Sequence, residues 1–199
     1  MNTKKQKRKI ASHIMDIVGG NPEFKRYNDN NECSSVHIMM IKDIPENGVN
    51  FYSTIGTSEH SIGLKIDAKP LRLELIFVAD EKYSKIENIL ATCAFCIINS
   101  KYKCFPGAVF NDVINQYIID TDMKHIIFVQ PFLWENDFPE LELDDKIIEW
   151  LLAVPISENE LTYSEKNGFE ALEDLFEKRQ IDISVSYTHL RAHETAANL

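Results

Sequence analysis

The chain lacks most of the signatures that would mark an enzyme or a membrane protein. No apolar run approaches the ~18 uninterrupted residues of a membrane span. There is no glycine-rich phosphate loop, no HExxH and no EF-hand spacing, so nucleotide, zinc-protease and calcium-loop chemistry have no motif to rest on. With seven glycines and seven prolines in 199 residues, no low-complexity segment, internal repeat or linker stands out. Cysteine is also scarce, at four. In a chain of this size that does not suggest a disulfide framework. Cys93 and Cys96 have CxxC spacing with Cys104 nearby, yet they lie inside the apolar run Ile89 to Ile98. A redox pair sits at a helix N-terminus, where the dipole lowers the thiol pKa. A zinc site needs a fourth ligand that the neighbourhood does not offer. These thiols read as core, and no cofactor or metal is implied.

What the chain does have is length, apolar content and an uneven charge. At 44% hydrophobic residues, 199 residues can bury a substantial core in one large domain or two small ones. The basic stretch Lys4 to Lys9 is followed by Ile10 to Val18, which Ser12, His13 and Asp16 interrupt. That is not the apolar core of a signal peptide. It predicts an amphipathic helix with Ile10, Ile14, Ile17 and Val18 on one face, stopping at Gly19-Gly20. A cytoplasmic location is expected.

Residues 1–9 carry five basic groups, whereas residues 135–177 carry fourteen acids against Lys146 and Lys166, a net of −12 in a chain of net −10. Such a field repels nucleic-acid phosphates and favours a basic partner. A solvated acidic face on ordinary helices explains the same composition, and both readings stand.

Periodicity gives the order of elements. Phe24 to Tyr27 reads as a short strand, followed by the turn-rich Asn28 to Asn31. Val36 to Ile41 and Val49 to Ile55 form a hairpin with a long loop. Gly56 to Gly63 is a polar loop. Leu71, Leu73, Leu75 and Phe77 alternate with Arg72, Glu74 and Ile76, predicting a half-buried strand. Helical spacing follows from about Glu81 to Asn99. Strands are expected at Ile126 to Val129 and Ile147 to Val154, the second being ambiguous on periodicity alone. Ser157 with Glu160 fits a capping box, and Phe169, Leu172, Leu175 and Phe176 mark the apolar face of a last helix. This is an α+β pattern. From about Ser184 the texture changes, and residues 184–199 read as a non-native or disordered tail; His189 and His193 are set aside with it.

Few residue groups are spaced for catalysis. Ser58-Glu59-His60 lacks the second glycine of a nucleophile elbow, and adjacent residues on an extended chain face apart. Asp144-Asp145 and Glu173-Asp174 read as surface acids. Arg72 and Glu74 share a strand face, near enough for a polar network with Thr54 or Ser58 that would fix register. Trp134, in an aromatic and acidic loop, is either a recognition anchor or a lid on the core.

Several islands in order resemble the suppressor-of-fused-like domain family over about Phe24 to Ile183. They are Thr54-Ile55-Gly56-Thr57-Ser58, Arg72-x-Glu74, the helix ending near Ile98, and Pro106-Gly107. Then come Pro131 with Trp134, Val154-Pro155-Ile156-Ser157 with Glu160, and Gly168 with Leu172. The resemblance implies an α+β fold, a mixed and largely antiparallel sheet packed by helices, in a domain spanning 21–183 with the helix of residues 1–20 belonging to it. It implies a non-catalytic protein that binds another protein. In bacteria such domains resemble immunity proteins or antitoxins of polymorphic, LXG-type toxin systems. The expected partner is then a cognate toxin, a basic nuclease domain, with no direct nucleic-acid or membrane binding. The expected partner-binding surface is Trp134, Glu135, Asp137, Glu140, Glu142, Asp144 and Asp145, acting as a phosphate mimic. An interaction domain with a non-toxin partner is the alternative; a hydrolase built on Gly56 to His60 is the remaining one.

Overall fold

The central strands of this chain bury both faces, and that governs the architecture. The computed structural model describes residues 3–31, 33–134 and 138–178. In chain order its elements are helix α1 (Thr3–Val18), strands β1 (Glu23–Asn28), β2 (Ser35–Ile41), β3 (Val49–Ile55), β4 (Lys65–Ile66) and β5 (Lys69–Asp80), and helix α2 (Ile86–Ile98). Strands β6 (Val109–Phe110), β7 (Met123–Val129), β8 (Leu141–Glu142) and β9 (Ile147–Ser157) follow, then helices α3 (Glu158–Asn167) and α4 (Phe169–Lys178).

Among the described residues the strands form one nine-stranded sheet in the order β1-β2-β3-β5-β9-β7-β6, with β4 on β5 and β8 on β9. Only the central pair β5 and β9 runs parallel; the other pairs are antiparallel. The α+β expectation holds.

Because side chains alternate across a strand, each face of the sheet has its own core. On one face Leu73, Leu75, Phe77, Leu151 and Ala153 pack under α2 through Ile86, Ile89, Leu90 and Cys93. On the other, Ile76, Val78, Ile148, Trp150, Leu152 and Val154 meet Ile10 and Ile14 of α1, and Leu172 and Phe176 of α4. Coverage on both sides explains why β3 is buried along its whole length and β9 reads as a near-continuous apolar run.

It also corrects the half-buried reading of β5: Leu73 through Ala79 are buried without a break, because α1 and the turn at Gly56 to Glu59 cover the second face. The helix expected from Glu81 begins instead at Ile86. The Asp80 carboxylate accepts the Lys82 amide at 2.9 Å and bends the chain first. Strand β9 continues three residues past Val154, through Pro155. Its ladder with β5 ends at Leu152, so the missing amide faces no neighbour on that side.

The capping box is present. Ser157 Oγ accepts the Glu160 amide at 3.3 Å, and Glu160 Oε2 accepts the Ser157 amide at 2.8 Å. Cys93 and Cys104 are buried and Cys96 half-buried. Burial holds all three thiols above their ordinary pKa, against reactivity. The tail at 184–199, with His189 and His193, lies outside the described residues. Among the described residues no helix is long and apolar enough to cross a membrane.

Candidate functional site

Two polar places stand out: a buried carboxylate in the sheet and an acidic edge beside it. Glu74, on β5, is fully buried. Its Oε1 accepts the Gly56 amide at 2.8 Å, the Ser58 amide at 3.2 Å and the Ser58 hydroxyl at 2.6 Å. Its Oε2 accepts the Thr54 hydroxyl at 2.6 Å and the Thr57 amide at 3.2 Å. Gly56 makes this convergence possible: its φ of 124° is one that other residues rarely adopt, and it turns three successive amides inward as a nest. Burial pushes the Glu74 carboxyl above its ordinary range, and the hydrogen bonds from Ser58, Thr54 and Gly56 pull it back.

The polar network read from Thr54, Ser58 and Glu74 therefore exists, but without its expected cation. Arg72 turns away and donates to the Leu71 carbonyl at 2.9 Å, and among the described residues no ion pair joins it to Glu74. Donors from the turn satisfy the carboxylate first. The same geometry bears on Ser58-Glu59-His60. Ser58 Oγ is fully buried with its proton on Glu74, while Glu59 pairs with Lys7 at 3.4 Å. The site is a clasp joining β3, the Gly56 turn and β5. Lys146, itself buried, adds a bond to the Ser58 carbonyl at 3.2 Å.

The acidic edge lies where β8 meets β9. Glu140, Glu142, Asp144 and Asp145 are all exposed there, as the sequence suggested, but they differ in what they touch. Glu142 pairs with Lys69 of β5, which lowers its carboxyl pKa. Asp145 accepts two bonds from Gln6 Nε2, at 2.9 and 3.1 Å, so α1 crosses this edge. His13 Nε2 also meets the Pro139 carbonyl at 2.8 Å while its ring stacks on Trp150 at 5.1 Å.

Trp134 is half-buried against Phe51 and Phe138, at 5.7 and 5.2 Å between ring centres, which is the lid geometry. Glu135 and Asp137 lie outside the described residues. The sequence reading missed Glu149 and the buried Trp150 of β9, although a single carboxylate within the run Ile147 to Ala153 was the visible signal. On the other side of α1, a cavity of about 560 Å³ is lined by Lys4, Lys7, Arg8, Phe24, His37 and Ile55. Among the described residues no group of three or more His, Cys, Asp and Glu side chains is placed to hold a metal ion.

Comparison with known proteins adds to this geometry. Residues 32–185 match the family described as Suppressor of fused protein (SUFU). The chain is 44% identical over 183 residues to the Immunity protein YqcF of Bacillus subtilis (strain 168), covering 92% of this chain and 95% of that one. Two solved structures share the fold. A SUFU homologue from Neisseria gonorrhoeae FA 1090 superposes with a TM-score of 0.70 at 14% identity, covering 92% of this chain and 94% of that one. A chain of the Sufu–Fu complex superposes with a TM-score of 0.65 at 12% identity, covering 90% and 88%.

Proposed function

The chain belongs to the suppressor of fused family, and on that premise we propose that it is an immunity protein that neutralises a cognate toxin by direct binding. The observation that carries this reading is the 44% identity, sustained over nearly the full length of both chains, to a protein named for immunity. The geometry agrees with binding rather than turnover: the serine of the Ser58 to His60 segment is buried with its proton committed to a carboxylate.

We infer further that the toxin domain is a basic nuclease and that the acidic edge occupies its phosphate site. A nuclease holds phosphate with cationic groups, and Glu140, Asp144 and their neighbours present carboxylates on one edge. Trp134, Glu135, Asp137, Glu140, Glu142, Asp144 and Asp145 remain the proposed contact surface, with Trp134 supporting it from the core side. The protein would act in the cytoplasm, on the toxin rather than on nucleic acid, without cofactor or metal.

The test is co-expression with the C-terminal domain of the protein encoded immediately upstream. Rescue of growth together with a co-purifying complex supports immunity. Stoichiometric inhibition of nucleic-acid cleavage by the purified toxin domain supports the nuclease reading. A harmless neighbour that never associates would remove the immunity assignment and leave an interaction domain with another partner.

A further inference from the structure

The sheet is interrupted beside its central strand. Along one side β9 is paired continuously with β5, Leu71 to Ile76 against Ile147 to Leu152. Along the other side, among the described residues, β8 covers only Ile147 and Ile148, and β7 joins only from Leu152 onward. Glu149, Trp150 and Leu151 therefore border a notch, and a cavity of about 280 Å³ opens there. Its walls are Pro106, Pro131 and Phe138, with the carboxylates of Glu140 and Glu149 in the lining.

These two acids, like Asp144, differ from Glu142 and Asp145 on the same edge, which already have partners. Glu142 has Lys69, Asp145 has Gln6, Glu59 has Lys7 and Glu158 has His125. Among the described residues neither Glu140 nor Glu149 forms an ion pair. Glu149 is half-buried, and burial first, then the negative charge of Glu140, pushes its carboxyl up. Trp150, which also lines the cavity, is only 2% exposed, and among the described residues its indole N–H has no acceptor. At the rim, Phe132 is 53% exposed and Phe105 is 50% exposed, each the chain neighbour of a wall proline.

We propose that this notch receives one cationic side chain of the partner protein, an arginine or lysine. The inference rests on the immunity reading of the preceding subsection and adds the place and chemistry of recognition. Charge complementarity selects the occupant. An apolar side chain would strip water from two carboxylates without replacing it, and an anion would add a third negative charge.

A guanidinium or ammonium instead relieves their repulsion and makes charge-assisted hydrogen bonds to both. The volume, just below the ~300 Å³ at which small-molecule pockets begin, suits one long side chain. Exposed Phe105 and Phe132 then form the apolar surround that excludes water from such an anchor.

The experiment is titration calorimetry of the upstream-encoded toxin domain, as an inactive variant, against the full chain. The variants are the wild type, the pair Glu140→Gln with Glu149→Gln, and the control pair Glu170→Gln with Asp174→Asn on α4. Glutamine keeps the shape, so thermal unfolding of the notch pair should match or exceed wild type. Its affinity should fall roughly 30-fold or more, the loss expected when one side of a desolvated charge pair is removed. The control pair should bind within about threefold of wild type, as exposed charges do. One Arg→Ala or Lys→Ala change in the toxin should lose its effect in the notch pair, a coupling that a purely structural role would not give. A folded notch pair binding as tightly as wild type would overturn the notch alone. Absence of any wild-type complex would overturn the immunity reading and the notch with it.

Discussion

Glu74 sits wholly inside the sheet, facing five donors and, among the described residues, paired with no cation. Thr54 Oγ1 already accepts the Leu75 amide at 2.8 Å, so its own proton must go to Glu74. Glu74→Gln would place an amide NH₂ where one oxygen stood. Whichever way the amide is turned, at least two donors then lose their acceptor. Each costs about 1–3 kcal/mol, so urea unfolding should show a loss of about 3 kcal/mol or more. A loss below about 1 kcal/mol would mean that the clasp does not hold β3 to β5.

Two half-buried histidines give the chain an opposite sensitivity at milder pH. Burial holds His37 and His60 below their ordinary pKa. Between that lowered value and the unfolded value of ~6.5 the unfolded state binds more protons, so stability is full above about pH 6.5 and is lost as pH falls. The buried Glu74 carboxyl pulls the other way, losing stability as pH rises, which is why a comparison of variants is needed. The thermal midpoint should fall less between pH 7.5 and 5.5 in His37→Gln/His60→Gln than in wild type.

At the scale of elements, most of the fold is legible wherever a local signal acts alone. The β2–β3 hairpin, α1 and α4 follow from alternation or helical spacing, and α3 from its cap. The cap is the strongest local device, because Glu160 is fully buried and also accepts the Ser157 hydroxyl at 3.0 Å. His125 of β7 reinforces the same junction. Its Nδ1 accepts the Asp112 amide at 3.1 Å, leaving the Nε2 proton for Glu158 at 3.1 Å. Ser157→Ala should therefore cost at the upper end of the capping range, about 2 kcal/mol, read from denaturant midpoints at unchanged slope. A change within about 0.5 kcal/mol would show that α3 is held by packing through Leu161 alone. Where the reading failed, tertiary contact had overridden the local pattern. Period-2 alternation on β5 suggested one wet face, yet Arg72 and Glu74 interrupt a face that α1 covers, and nothing near them in sequence announces that helix.

Across the whole molecule the charge map is folded back on itself, and this limits what sequence could say about the site. The net of −12 and the basic N-terminus lie more than a hundred residues apart in the chain, yet Gln6 of α1 touches Asp145. The acidic edge is thus flanked by the lysines of α1, and two of its carboxylates already have partners. The pairing of Glu140 with Glu149 depends on the strand interruption beside β9 and could not be read from composition.

Long-range attraction between the acidic edge and a basic toxin domain should speed association and be screened within about 10 Å at 0.1 M salt. Stopped-flow association rates should fall steeply from 50 to 500 mM salt, with dissociation changing little. Glu140→Lys and Asp145→Lys should each slow association, since the amide of Gln6 leaves the charge of Asp145 in place. Replacing Lys5 and Lys9 of α1 by glutamine should quicken it by removing opposing charge. Rates equal at both salt concentrations would show that the acidic edge does not steer the encounter, and that short-range contacts within the interface carry recognition.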